Sequence, residues 1–483
     1  MNKKSLLIIV SLVVLISLIG SFFIGYTENR LIYTIKNKIP ISITNYVKKT
    51  ILFPFYHNSQ IEKLEKKNKS LLKRTNDLED QINLLKNYLS NSNTIKDEEK
   101  ILKLPTIGKS QLINTTKNNK YELKKYYFLS SKPWQYNGDK PVGYFEKYVD
   151  KIIILNGEGL IGFFKAKDLN KNELNFKIIQ TSYQNVIPND SAIYNKGRAS
   201  FRGILIKNEN IFLSYYKKVK DGCYNIGILK SKFNLSFMKF EDFFSYDECS
   251  MNMSNHSGGK LASYDENSFL FTVGDGQKPE EAQNNDSYFG KLYKINYNDA
   301  TVELIAKGMR DTQGAYWYEK KNSLIMTEHG PTGGDEINIL KKKDFNSVAN
   351  FGWPIATYGK IGKTPIKENK YTVKDKNNHS SNGFNEPLHW YRGNSVAPSG
   401  IINVDGFKND FNSDFFMATM GWKSAPGRKS VHHLRFDDKL EKLIYLDIIP
   451  IGERVRDLIY VEEENKVVLI LENTPSIAVL QNN

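Results

Sequence analysis

The chain has 483 residues, of which 40% are hydrophobic and 12% aromatic, so it can bury at least one large core. Its formal net charge is +15, from 68 basic and 53 acidic residues. We interpret the excess as lysines on solvated faces, because the sequence has no arginine-rich arm, zinc-binding pattern or RNA-binding aromatic motif. We therefore expect no nucleic-acid partner, although attraction to acidic polymers or anionic lipid stays open.

The N-terminal segment predicts a membrane anchor. Residues 5–25 are almost all apolar, which is long enough to cross a hydrocarbon core of about 30 Å. The preceding Lys3-Lys4 pair should stay in the cytoplasm, so we expect a single-pass inner-membrane protein whose C-terminal domain faces the periplasm or the cell exterior. A cleaved signal peptide is the alternative, but no small-x-small cleavage site closes the run. We assign residues 1–26 to the cytoplasmic N-terminus and anchor.

Residues 27–100 predict a stalk that contains a coiled coil at about 58–90 and ends in a polar linker. Spacings of three and four residues form the heptad seam, with polar residues at two of its a positions. Such polar positions favour a defined register, usually a parallel dimer, so a homo-oligomer is expected; one amphipathic helix lying on the globular domain is the alternative. The seam residues are Ile61, Leu64, Asn68, Leu71, Thr75, Leu78, Ile82, Leu85 and Leu89.

Residues 121–483 predict an all-β domain. Short runs rich in β-branched and aromatic residues alternate with Asn, Gly, Asp and Lys turns, and no long helical pattern interrupts them. At roughly 40–50 residues per four-stranded blade plus some long loops, this length fits a β-propeller of six or seven blades. The predicted strands are 151–155, 202–206, 210–215, 269–272, 291–295, 323–327, 415–419, 431–436 and 466–471.

Cys223 and Cys249 are the only cysteines. In an exported domain they could form one disulfide, since both follow turn-like segments in one region of the chain. Two buried free thiols are the alternative, and no metal-ligand spacing flanks either residue.

The stretch Asn255-His256-Ser257-Gly258-Gly259-Lys260 places a histidine against a glycine pair, just before a predicted strand–turn–strand. Glycines let the backbone pass close to a ligand, and histidine moves protons most readily near neutral pH. The motif is weak when taken alone.

Two kinds of later stretch predict ligand binding. Arg310, Arg454 and Arg456 could direct several guanidinium forks at one site, which suits carboxylates. Gly330-Pro331 offers backbone carbonyls beside Asp335-Glu336, which suits calcium. Together with the histidine, they fit an acidic, quinone-like cofactor. A salt-bridged strand face and a capped turn are the respective alternatives.

The order of these stretches and their residues resemble those of the soluble PQQ-dependent sugar dehydrogenase family, the glucose and aldose dehydrogenases built on a six-bladed propeller. The resemblance runs from about residue 197 to the C-terminus and is strongest over residues 256–354. Its most specific parts are residues 328–338 and 350–354.

The resemblance implies an oxidoreductase with PQQ and calcium as cofactors and a small sugar as substrate. His256 aligns with the general base that takes the proton from the anomeric hydroxyl, and Arg310 with the arginine that reaches the quinone oxygens. Trp390 or Tyr391 could form a wall of the sugar pocket. Cofactor-binding positions are Lys423, Arg454, Arg456, Asp275 and Arg198; calcium positions are Gly330, Pro331 and Glu336.

Three departures from the family pattern bear on activity. Asn255 stands where better-studied members tend to have Asp, so we expect the base to lack an acidic partner that orients its ring. Asp311 replaces Asn and adds a negative charge beside an anionic cofactor. Arg198, where the family commonly has Gln, could offset that charge.

Three functions compete on this sequence. A membrane-anchored quinoprotein that oxidises an aldose and passes electrons towards the respiratory chain is the leading hypothesis. A propeller that has lost the chemistry and serves as an extracytoplasmic binding module, like the related domain of hedgehog-interacting protein, is the second. A calcium-dependent lactonase is the third, but its carboxylate-rich metal site is not present in the sequence.

Overall fold

The computed structural model describes residues 101–128, 143–157, 159–183, 186, 201–331, 333–359, 379–393, 395–408, 411–421, 425–474 and 476–483. The predicted anchor and coiled coil lie outside these residues, as do Arg198 and Lys423. In the described part of the chain, no helix is both long and apolar enough to span a membrane.

Within the described residues, 28 strands form six sheets, the blades of a propeller. Blade 1 contains β4 (Gly143–Tyr148), β5 (Lys151–Asn156), β6 (Ile161–Lys165), β7 (Glu173–Thr181) and, at its outer edge, β1 (Ile101–Pro105). Blade 2 contains β8 (Phe201–Lys207), β9 (Asn210–Lys220), β10 (Cys223–Lys232) and β12 (Glu241–Phe244), while the short β11 (Phe237–Met238) pairs with β7. Blade 3 contains β13 (Gly258–Ser263), β14 (Ser268–Val273), β15 (Lys291–Asn296), β16 (Val302–Lys307) and β20 (Ala349–Asn350).

Blade 4 contains β17 (Thr312–Tyr318), β18 (Ser323–Glu328), β19 (Glu336–Lys341) and β21 (His389–Trp390). Blade 5 contains β22 (Pro398–Asn403), β23 (Asp414–Thr419), β24 (Ser430–Phe436) and β25 (Leu443–Pro450). Blade 6 contains β26 (Val455–Val461), β27 (Lys466–Leu471), β28 (Ser476–Asn482), β3 (Lys120–Tyr127) and β2 (Gln111–Asn114). Short 3-10 helices span Ala166–Asn170, Met253–Asn255, Pro279–Ala282, Glu319–Lys321, Lys342–Asp344, Ser380–Asn382 and Glu462–Glu464.

The core lies between the blades. Each sheet is covered on both faces by its neighbours, so successive side chains of an inner strand pack into different clusters. In β14, Phe269 and Phe271 face blade 2, whereas Leu270 between them faces blade 4. One apolar cluster fills each of the six interfaces between blades. This explains why the strands read as unbroken apolar runs.

The ring closes by pairing the two ends of the domain. In blade 6, β3 from the N-terminal side pairs antiparallel with the last strand, β28, with Lys124 opposite Val479. Strands β1 and β2 also precede residue 121, the predicted start of the propeller. All nine predicted strands lie within observed ones, and the number of blades is six.

The two cysteines form a disulfide, which settles the alternative left open by the sequence. Cys223 begins β10, and Cys249 lies in the segment that leads to His256. Beside the bond, Tyr224 and Ser250 exchange two backbone hydrogen bonds of 3.0 and 2.8 Å. The disulfide therefore ties the segment before His256 to blade 2.

Replacing both cysteines, Cys223→Ser with Cys249→Ser, should lower the free energy of unfolding by about 3 kcal/mol, because the unfolded chain loses a cross-link between residues 26 apart. Urea unfolding of both proteins, with and without dithiothreitol, measures this. Reductant should destabilise the wild type and leave the variant unchanged. Identical unfolding curves for wild type and variant in the absence of dithiothreitol would contradict a stabilising disulfide.

Candidate active site

The first residues of the innermost strands meet at one mouth of the propeller. The innermost strands of blades 1 to 6 are β4, β8, β13, β17, β22 and β26, and each contacts the next around the axis. A hydrogen bond of 3.1 Å from the Gly258 N–H to Asp311 Oδ1 links the starts of β13 and β17. Predicted site residues at this mouth are His256, Arg310, Arg454 and Arg456.

His256 is held by a buried carboxylate. Its Nδ1 lies 2.7 Å from Asp275 Oδ1, and the Asp275 side chain is 1% exposed. Asp275 is itself fixed, since Oδ1 accepts the Gln277 N–H at 2.8 Å and Oδ2 accepts Trp353 Nε1 at 2.8 Å. A carboxylate on Nδ1 favours the tautomer whose Nε2 is the basic nitrogen. The imidazole is 17% exposed, so a ligand can reach it.

The expectation that Asn255 leaves the histidine without an acidic partner is wrong. The carboxylate comes instead from Asp275, at the end of the neighbouring strand β14, which the sequence predicts only as a cofactor-binding residue. Gly274 makes this approach possible, because a Cβ at this position would lie 2.3 Å from the His256 carbonyl oxygen. What the structure shows for Asp275 is support of His256; a cofactor contact stays a prediction.

Arg310 lies beside this pair. Its guanidinium carbon is 5.3 Å from the centre of the Trp353 ring, and its backbone N–H donates to Glu328 Oε1 at 2.5 Å. Its Nη1 donates to the carbonyls of His329 and Gly330 at 2.7 and 3.1 Å. Its Nε is buried without a hydrogen-bond partner in the described part of the chain, so one donor of this guanidinium is still available to a ligand.

The predicted calcium ligands have protein partners. The Gly330 carbonyl accepts from the cationic Arg310, and the Pro331 carbonyl accepts the Gly334 N–H at 3.0 Å. Glu336 accepts from Asn338 Nδ2 at 3.3 Å, and burial raises the pKa of its carboxyl well above the usual value. Within the described ranges, no cluster of three or more His, Cys, Asp or Glu side chains is arranged to hold a metal. The predicted calcium ligands are thus hydrogen bonded within the protein, and calcium binding stays a prediction.

Arg454 and Arg456 share one buried carboxylate, Glu472, which sequence reasoning missed. Each Nε donates to it, at 2.6 Å to Oε2 and 2.5 Å to Oε1 respectively. Burial raises the pKa of the Glu472 carboxyl, but Arg456 and Arg454 outweigh burial and hold it below the usual value. The pair of arginines is thereby held rigidly. Arg454 Nη1 also donates to the Met420 carbonyl oxygen, and Arg456 Nη1 donates to Gln313 Oε1 at 3.2 Å.

Asp311 is compensated by residues from other blades. Besides the Gly258 N–H, its Oδ1 accepts Gln313 Nε2 at 2.7 Å, and Oδ2 lies 3.5 Å from His329 Nδ1. Burial raises the pKa of Asp311, but His329, His256 and Arg202 together lower it below the usual value. The sequence predicts Arg198 in this compensating role; the described arginine that fills it is Arg202.

The two predicted wall residues differ in burial. Tyr391 is 9% exposed and lies in the core between blades 4 and 5, where its hydroxyl meets His432 Nδ1 at 2.8 Å. Trp390 is partly exposed and stacks on Tyr358, with ring centres 4.3 Å apart. Of the two, only Trp390 is partly exposed. Trp353, which lies within a predicted motif but had no assigned role, contacts both Asp275 and Arg310.

Replacing Glu328, which is 4% exposed, should change how stability depends on pH. Burial raises the pKa of its carboxyl from 4.5 to about 7. Ionising the folded protein therefore costs stability, and that loss builds up as the pH rises from 4.5 to 7. As the pH rises from 4.5 to 8, the unfolding free energy of Glu328→Gln should therefore increase by about 3 kcal/mol relative to that of the wild type.

Urea unfolding at several pH values gives this difference directly. Glu266→Gln, at an exposed turn, is the matched control. Parallel pH profiles for wild type and Glu328→Gln would show that Glu328 does not titrate in this window.

Comparisons with known proteins agree with this geometry. The Glucose / Sorbosone dehydrogenase family model matches residues 205–479. The chain is 28% identical over 218 residues to aldose sugar dehydrogenase YliI of Escherichia coli, covering 42% of this chain and 56% of that protein. It is 28% identical over 229 residues to the uncharacterized protein slr1608 of Synechocystis, covering 42% and 50%. The chain thus spans about half the length of these curated relatives.

Solved structures share the fold. The apo-form crystal structure of the soluble aldose sugar dehydrogenase from Escherichia coli superposes with a TM-score of 0.54 at 20% identity, covering 71% of this chain and 96% of that one. A calcium structure of a Trichoderma reesei family AA12 enzyme gives a TM-score of 0.52 at 12% identity, covering 75% and 96%. Because the family model spans more than half of its residues, the chain belongs to the Glucose / Sorbosone dehydrogenase family.

Proposed function

We propose that this chain is a PQQ-dependent dehydrogenase that oxidises an aldose sugar at its anomeric carbon. The observation that carries the proposal is the His256–Asp275 pair beside Arg310, at the mouth where Arg454 and Arg456 also begin a strand. Family membership supports the reaction class. The names of the matched relatives, an aldose sugar dehydrogenase among them, support the substrate class.

The residues present fit an acidic quinone. PQQ carries three carboxyl groups, and this mouth holds several guanidinium groups whose buried Nε atoms at Arg310 and Arg202 lack a hydrogen-bond partner among the described residues. Arg454 and Arg456 would bind its carboxylates, as would the predicted Lys423. PQQ, when bound, supplies the oxidising quinone.

The protein's own part is to position the sugar and move a proton. His256 Nε2 takes the proton from the anomeric hydroxyl, while Asp275 holds the ring through Nδ1. The Trp353 N–H keeps Asp275 in place. Arg310, fixed on the Trp353 ring, supplies positive charge where an oxygen gains negative charge.

Calcium binding stays a prediction, and no step of the proposed mechanism uses the ion. Its expected carbonyl ligands at Gly330 and Pro331 are hydrogen bonded within the protein, and Glu336 is a buried acid with a raised pKa. The chemistry derived above rests on His256, Asp275 and Arg310 alone.

We also infer a location outside the cytoplasm. Residues 5–25 are the apolar anchor, the residues around 58–90 would form the oligomeric stalk, and the disulfide between Cys223 and Cys249 is typical of an oxidising compartment. Anchoring would keep the propeller close to membrane electron acceptors.

A non-catalytic binding propeller is the second candidate. The observation that favours it is the negative charge within the arginine cluster, since Glu472 engages both Arg454 and Arg456 and Asp311 lies beside Gln313. If these carboxylates offset the positive charge of the arginines, an anionic cofactor gains little binding free energy at this mouth.

Titrating the full-length chain in detergent with PQQ separates the two candidates. We expect saturable binding, seen by quinone absorbance, and aldose-dependent dye reduction. His256→Ala should lower kcat by about 10²–10⁴-fold with PQQ affinity within a few-fold, because the base is lost but the cationic groups remain. Binding without turnover on any aldose would favour the binding module, and no binding at micromolar PQQ would exclude the dehydrogenase.

Asp275→Asn should lower kcat by about 10²-fold or more with little change in KM, because an amide cannot hold the imidazole in the required tautomer. Steady-state dye reduction measures both constants. Asp299→Asn, at an exposed turn of the same blade, is the matched control. Wild-type kcat in Asp275→Asn would remove the carboxylate from the mechanism.

A further inference from the structure

Arg202 is a buried guanidinium without a direct ionic partner among the described residues. It is 8% exposed and lies near the start of β8, the innermost strand of blade 2. Its Nη2 donates to Gln313 Oε1 at 2.9 Å, and its Nε is buried with no hydrogen-bond partner in the described part of the chain. Its neighbour Tyr216 offers a ring face 5.8 Å away but no negative charge.

Three of the other cations at the axis have carboxylate partners, whereas Arg310, which has none among the described residues, is only partly buried. Arg454 and Arg456 share Glu472, and Lys260 Nζ lies 3.5 Å from Asp457 Oδ1. Burying a charge without a direct counterion costs free energy, and a negatively charged ligand group would offset that cost.

Asp311 does not serve as that direct counterion, because the Gln313 amide lies between the two charges. Gln313 Nε2 donates to Asp311 at 2.7 Å, while its Oε1 accepts from Arg202 at 2.9 Å and from Arg456 Nη1 at 3.2 Å. Arg202, Gln313 and Arg456 belong to blades 2, 4 and 6, so these hydrogen bonds span the axis. Two guanidinium groups thus converge on one amide oxygen at the mouth.

We propose that Arg202 binds a carboxylate group of a ligand that enters this mouth. Its free Nε and the second hydrogen of Nη2 form the fork that a carboxylate accepts side by side. The carboxylate belongs either to the cofactor or to an acidic sugar such as a uronic acid. The inference deepens the proposed function and rests on it where the ligand is PQQ.

The experiment compares wild type, Arg202→Gln and Arg202→Lys as full-length chains in detergent. The first arm titrates PQQ and its trimethyl ester by quinone absorbance. The second arm measures KM for glucose and glucuronate with PQQ saturating. The third arm follows thermal unfolding with glucuronate or glucose and without PQQ. Arg202→Lys keeps the charge and loses the fork, so it should fall between the other two proteins.

A cofactor carboxylate predicts that Arg202→Gln weakens PQQ binding at least tenfold and leaves ester binding unchanged. A sugar carboxylate predicts unchanged PQQ binding, a KM for glucuronate raised at least tenfold and an unchanged KM for glucose. If the wild type binds no PQQ, the proposed function fails, and the third arm decides: glucuronate but not glucose should stabilise wild type and not Arg202→Gln. Carboxylate responses that are the same in wild type and Arg202→Gln overturn the proposal.

A purely structural role gives a different result. If Arg202 only balances Asp311, Arg202→Gln should unfold more readily without any ligand, and adding Asp311→Asn should restore stability. A carboxylate-binding role predicts that carboxylate binding stays weakened in the Arg202→Gln, Asp311→Asn double variant, even where Asp311→Asn restores stability. Destabilisation rescued by Asp311→Asn, with unchanged carboxylate binding, also overturns the proposal.

Discussion

The antiparallel pairing of β3 with β28 is the constraint on which the site depends. Every interface between blades is an apolar cluster, and in the described part of the chain this pairing joins the two ends of the domain within blade 6, which packs against blade 1. The site draws Arg202 from blade 2, His256 from blade 3, Arg310 from the start of blade 4 and Arg456 from blade 6. An open ring would not hold these four sheets around one axis, so the apolar closure makes the polar convergence possible.

Charge balance then organises the mouth. Burying several guanidinium groups near one axis is unfavourable unless carboxylates are interleaved with them. Glu472 holds two arginines at once, and Asp457 faces Lys260 across the axis. The carboxylates that the second candidate function invokes therefore also make a dense arginine cluster possible, since they set where the remaining N–H groups point.

Much of the fold is predictable from local pattern, because runs covered on both faces are apolar throughout their length. Phe269-Leu270-Phe271 predicts a buried strand without knowledge of its neighbours. The His256 and Arg310 motifs also lie close together in the structure, as their resemblance to one family implies. The partners of these residues are not predictable in this way. Asp275 reaches His256 through the β13–β14 hairpin and a glycine that permits contact, and Glu472 reaches Arg456 through the β26–β27 pair.

The departures from the family pattern take on a different meaning once their partners are known. Asn255 does not leave the His256 ring without an orienting partner, because Asp275 already hydrogen bonds to Nδ1. The charge at Asp311 is met by the Gly258 N–H, Gln313 and His329, so it does not stand unpaired beside an incoming anion. Arg202, by contrast, is a buried arginine at this mouth that has no direct counterion among the described residues. Asn255 and Asp311, the two substitutions that suggest a lost site, therefore do not leave a neighbouring group without a partner. Arg202 keeps an unpaired donor and carries the positive charge that an acidic ligand requires.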